Sequence, residues 1–248
     1  LVFDRRSRAG VSQRRAGLSV NGTASLPNER GLWIQVRSGA GSVSIPDWLS
    51  AIEDRFSTPA QPPASRRTQT EEPFLRGVQV TADQLTLGQQ RFNQASLRAL
   101  RNLSHWAITV DSQEAAGQLL WRPTPEQSQD GSRGVLVARL SRLWLSSGPS
   151  APGPAESPKL TALQEAARWP SLDLVAEDFR RGKTALGRLV IDAAPRPLEN
   201  SWVIARVGLE NPEAELVGSG RWAAKPSTGS ETRLDLTLRL IKGEGLLA

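Results

Sequence analysis

Apolar and polar residues alternate along much of this chain. Leu18 and Val20 lie among Ser19, Asn21 and Thr23, and Ala24 follows before Ser25. Leu32, Ile34 and Val36 alternate with Trp33, Gln35 and Arg37, and Leu234, Leu236, Leu238 and Leu240 with Arg233, Asp235, Thr237 and Arg239. A period of two puts one face against apolar material and the other in water, the pattern of half-buried antiparallel strands. Leucine is a mediocre strand former, so periodicity carries this reading more than propensity does. Ten further runs are strand-like. The first five span 77–87, 94–100, 104–111, 115–122 and 134–145; the second five span 171–180, 186–194, 201–209, 213–224 and 231–242. Short turns rich in Gly, Asn, Pro and Asp separate them, which predicts antiparallel meanders.

The two sets of five are copies of one another. Val80 corresponds to Leu174, Ala82 to Ala176, Leu85 to Phe179 and Gly88 to Gly182, each 94 residues apart (174 − 80). Later the offset drifts, with Trp106 matching Trp202 and Gly117-x-x-x-Trp121 matching Gly218-x-x-x-Trp222. Drift confined to the gaps between apolar runs is how loops vary after duplication of a structural unit. The opening run changes phase at the same place in both copies: 78, 80 and 82 are followed by 85, and 172, 174 and 176 by 179. A shift of odd length predicts a bulge or bend near Asp83 and Asp178.

Two segments have helical spacing, Pro46–Phe56 and, more weakly, Leu160–Trp169. Ser57–Thr70 and Ser146–Pro158 are rich in Pro, Ser and small residues and read as flexible links; Thr124–Arg133 is a polar loop within the first copy. The expected organisation is the end of a preceding unit with a short helix (1–56), a linker (57–73), a repeat unit (74–145), a linker with a short helix (146–168) and a second repeat unit (169–248). With no methionine and a strand-like start, the chain is expected to be part of a longer protein.

Composition narrows the function. Hydrophobic residues make up 38% and mean hydropathy is −0.36, and no apolar run is long enough for a membrane-spanning helix. Absence of cysteine excludes disulfides, thiolate metal sites and Cys nucleophiles. The net charge of +6 admits anionic partners, but the arginines are scattered along strands and turns, which favours a solvated basic surface over a nucleic-acid site. His105 is the only histidine, so His-pair metal sites are excluded, and no nucleophile motif stands near it. Gly218 and Gly220 lack the strand-to-helix context and lysine of a phosphate loop and read as strand glycines at a bend or close approach. Glu71-Glu72 and Glu177-Asp178 read as solvated acids. No metal, cofactor or catalytic site is expected. The recurring tryptophans fit packing between sheet and connection, with a lipid or ligand border as the alternative.

The second copy resembles the YhdP branch of the AsmA-like family of Gram-negative envelope proteins. The residues that carry the likeness are Trp169-Pro-Ser-Leu-Asp-Leu-Val-Ala-Glu-Asp-Phe179, Leu186-Gly-Arg-Leu189, Ser201-Trp-Val-Ile204, Glu210-Asn-Pro-Glu-Ala-Glu-Leu216 and Gly218-Ser-Gly-Arg-Trp222. The first copy keeps Leu87-Gly88 and Gly117-Gln-Leu-Leu-Trp121 but lacks the Trp-Pro opening. The resemblance implies a mainly β architecture: repeating antiparallel five-strand units forming a curved, open apolar β-groove with short connecting helices. It further implies a periplasmic portion of a protein anchored in the inner membrane by an N-terminal helix outside this chain, with an outer-membrane partner, carrying phospholipid toward the outer membrane without chemistry of its own. The alternative is a periplasmic scaffold or assembly factor of TamB type that binds protein; nucleic acid ranks last.

On that reading the residues expected to meet acyl chains are Val78, Val80, Leu97, Ile108, Leu119, Leu172, Leu174, Ile191, Val203, Leu216, Leu236 and Leu238. Ordinary core against a second layer is the competing role for each. Each methylene kept from water is worth about 0.8 kcal/mol, so the apolar track has to be continuous.

Overall fold

The computed structural model describes residues 2–8, 11–23, 31–44, 75–87, 90–123, 134–146, 170–196, 199–225 and 229–241. Both expected helices, the 57–70 link, the 124–133 loop, nearly all of the 146–158 link, Ala24, Ser25 and Gly88 lie outside them. The described chain is mainly β, and it divides into two compact units, Leu1–Gln113 and Glu114–Ala248.

The first unit contains β1 (Val2–Arg8), β2 (Val11–Val20), β3 (Gly31–Ser44), β4 (Leu75–Leu87), β5 (Gln90–Arg101) and β6 (Trp106–Asp111). The second contains β7 (Ala115–Arg122), β8 (Val135–Leu145), β9 (Ser171–Arg181), β10 (Thr184–Arg196), β11 (Ser201–Glu210), β12 (Ala214–Lys225) and β13 (Gly229–Leu240). Within each unit every strand pairs with its neighbour in sequence. The ten predicted runs correspond to β4–β13 in order.

Strand direction departs from the expected antiparallel pairing at β2–β3, and two further parallel pairs fall at the links on either side of the first repeat copy, where no direction was expected. β2 and β3, β3 and β4, and β8 and β9 pair in parallel, whereas β4–β5–β6, β7–β8 and β9 through β13 are antiparallel. A parallel pair needs a connection that returns the chain to the strand end it left, usually a dozen residues or more. The long segments between Ser44 and Leu75 and between Leu145 and Ser171 meet that need. Each such pairing lets a meander begin again in the same direction. Alternation reports which face is buried and carries no information on direction.

The shared phase break is present in both copies. Val78, Val80 and Ala82 are buried, and burial resumes three residues later at Leu85; in the second copy it passes from Ala176 to Phe179. Opposite Asp83 lies Gln94, whose φ of 52° places it in the left-handed region. In the second copy the register shifts on both sides of Gly187, which pairs with Phe179 and has φ of 90°. Glycine suits that site because a Cβ there would collide with the Glu210 carbonyl. Short turns close the hairpins. The β11–β12 turn is held by Asn211 Oδ1, which accepts from the Glu213 and Ala214 amides at 2.9 and 2.8 Å.

Candidate apolar track

Directly opposed residues on neighbouring strands share a face, so the registers trace rows across each sheet. In the second unit one row runs Trp121, Leu136, Leu172, Ala193, Ile204, Gly220, Leu234. The next runs Leu119, Ala138, Leu174, Ile191, Val207, Gly218, Leu236, and the third Gly117, Leu140, Ala176, Leu189, Leu209, Leu216, Leu238. Each row takes one residue from every strand of the unit, and every position is apolar or glycine. The other face carries charge, including Arg139, Asp173, Asp192, Arg221, Arg233, Asp235 and Arg239.

The first unit has two comparable rows. Val20, Val36, Val80, Leu97 and Val110 form one, and Leu18, Ile34, Val78, Ala99 and Ile108 the other. Ile34, Val36, Val78 and Val80 are buried and belong to one cluster with Leu85 and Ala95. On the opposite face the Trp33 ring packs over Gly77, where a Cβ would come within 2.6 Å of it, and Arg98 stands 5.7 Å from the ring centroid.

Burial falls toward the last strand of the second unit. Ala138 and Ala176 are fully buried, whereas Leu234, Leu236, Leu238 and Leu240 are 43%, 49%, 60% and 52% exposed. Gly218 and Gly220 let β13 close on β12: Leu236 Cδ2 lies 2.5 Å and Leu234 Cδ2 2.7 Å from where their Cβ atoms would be. The close approach expected of these glycines is thus made by the leucines of the apolar face.

Of the twelve expected track residues, Val78, Val80, Leu97 and Ile108 share one face of the first unit. Leu119, Leu172, Leu174, Ile191, Leu216, Leu236 and Leu238 share one face of the second. Val203 stands apart. It opposes Ala194 and Arg221 on the charged face, and its place in the rows is taken by Ile204. The cause is a bulge: the register shifts between Ile204 and Val207, so the odd-numbered phase of Val207 and Leu209 does not extend back to Val203. Sequence reasoning also missed the small residues Ala138 and Ala193, which fit the track only once the register is known.

Ion pairs fasten the charged face. Arg139 donates through Nη1 to Asp173 Oδ1 at 2.9 Å and through Nη2 to Oδ2 at 2.7 Å, bridging the parallel pair β8–β9. The Arg139 hydrogen bonds, and secondarily its charge, hold the Asp173 carboxyl below the ordinary carboxylate range. Asp178 accepts from Arg180 Nε at 3.0 Å and from Trp144 Nε1 at 3.0 Å, and the Arg180 guanidinium lies 4.6 Å from the Trp144 ring centroid. Arg180 chiefly, with Trp144, holds the Asp178 carboxyl low. His105 sits in the β5–β6 turn, its Nε2 2.9 Å from Asn102 Nδ2. Among the described residues no three His, Asp or Glu side chains are gathered as metal ligands, and no helix is long and apolar enough to cross a membrane.

No curated protein and no solved structure matches the chain. A family model does, described as YhdP protein and covering residues 2–247, so the chain belongs to the YhdP family.

Proposed function

We propose that this chain carries phospholipid along the apolar face of its sheets, as a periplasmic segment of a protein that links inner and outer membranes. The carrying observation is the set of three uncharged rows that cross all seven strands of the second unit. Family membership supports an envelope role of lipid-transport type. A row of side chains two residues wide covers about 7 Å of strand and neighbouring strands are about 4.8 Å apart, so the rows form an apolar surface unbroken along and across the strands. An acyl chain sliding over it exchanges one apolar contact for another. No bond is made or broken, which is why the role needs no catalytic side chain.

Native mass spectrometry of the purified chain tests the reading. The expected result is co-purified phospholipid that is lost when the rows are interrupted by charge. A chain that carries no phospholipid and takes none up from vesicles, but cross-links to an envelope protein through the same face, would refute it in favour of a scaffold.

A further inference from the structure

We propose, on the reading that the apolar face carries phospholipid, that the lipid lies on the second unit in one orientation, its headgroup at the tryptophan end of the strands. Just outside the three apolar rows runs a fourth, Pro195, Trp202, Trp222 and Thr232, in which Trp202 and Trp222 oppose each other directly. Trp121 lies in the adjoining row. An indole joins a broad apolar ring to one N–H donor, and it settles where hydrocarbon gives way to polar groups. The Trp121 Nε1–H is buried and has no acceptor among the described residues.

The other end of the strands is different. There the same face continues through Leu238 to Leu240. Trp144, at that end, is already engaged with Asp178 and Arg180. The dimensions agree: Thr232 to Leu240 is about 27 Å of extended strand, enough for the roughly 15 Å hydrocarbon depth of one leaflet with the headgroup beyond it.

The test loads the whole chain with phosphatidylethanolamine carrying a photoreactive diazirine either in the headgroup or at the acyl terminus, and maps adducts by peptide mass spectrometry. Headgroup adducts are expected at Thr232 and the Trp222 segment, and acyl-terminal adducts at Leu238 and Leu240. A reversed pattern, or the same adducts from both probes, overturns the inference and leaves the lipid reading intact. Absence of adducts from either probe removes both. Replacing Trp202 and Trp222 together by Phe, which keeps an aromatic ring but no donor, is expected to blur the two patterns without reducing total adducts; an unchanged separation would also overturn the assignment.

Discussion

Charge placed on the face of the rows should stop lipid, and the same charge one residue along should not. Leu236 closes the middle row on β13, opposite Gly218, while its neighbour Thr237 points to the other face, opposite Val217. Leu236→Asp places a carboxylate in the track; arginine would be a weaker test because its long stem can carry the charge to the margin. Leu236 is 49% exposed in the chain. Full burial of a leucine is worth about 1.5–3 kcal/mol, so the exposed half offers a passing acyl chain about 1 kcal/mol. The carboxylate also keeps its water and holds off about one further methylene, worth about 0.8 kcal/mol. Together these raise the local barrier by about 2 kcal/mol, or roughly thirtyfold in rate. Lost packing within the fold is similarly limited to about 1 kcal/mol, and for a chain of this size that lowers the melting temperature by about 2–4 °C. Transfer of a fluorescent phospholipid between vesicles measures the rate, and thermal melting followed by circular dichroism checks the fold. Leu236→Asp is expected to slow transfer about thirtyfold with a small drop in melting temperature, and Thr237→Asp to change neither. Equal slowing by both, or by neither, would show that this face is not the path.

Three further outcomes follow from the packing. Gly218→Ala would press a methyl against the Asp235 carbonyl and Leu236 Cδ2; a loss of about 1–3 kcal/mol is expected, with faster amide exchange concentrated in β13. Ala176 is fully buried among Leu140 and Leu189, so Ala176→Leu should cost about 1–3 kcal/mol by overpacking, read as a lower denaturation midpoint. Asp173→Asn removes the exposed bidentate pair with Arg139 and should cost at most about 1 kcal/mol at neutral pH. Because Asp173 is held below its ordinary value, its contribution is present above the unfolded carboxylate pKa of about 3.9 and fades as pH falls through the lower folded value. Wild type and variant should therefore converge on acidification below about pH 4; a gap that persists there would mean that the pair is not its source.

The strand pattern was legible because half-buried strands impose their period on the sequence. β4 through β13, the duplicated phase break and the close approach at Gly218 and Gly220 could all be read from spacing alone. The Val203 assignment shows the limit of that reading. Within one strand, Val203, Val207 and Leu209 share a parity, and nothing in the alternation marks the extra residue between Ile204 and Val207. Partner strands reveal it, because Gly220 faces Ile204 and Gly218 faces Val207. Ala138 was invisible for a related reason. Alanine gives little hydropathy signal, and its place in a row depends on the register with strands more than thirty residues away in sequence.

By itself, then, the sequence determined that this chain is a duplicated array of half-buried strands, since period is a property of each segment alone. The tertiary structure decided that three junctions are parallel, that the apolar residues of separate strands line up into rows, and that Trp121, Trp202 and Trp222 gather at one end of the rows in the second unit. Direction and register are relations between segments, set by hydrogen bonding across strand pairs and by bulges, so they exist only once the strands have met.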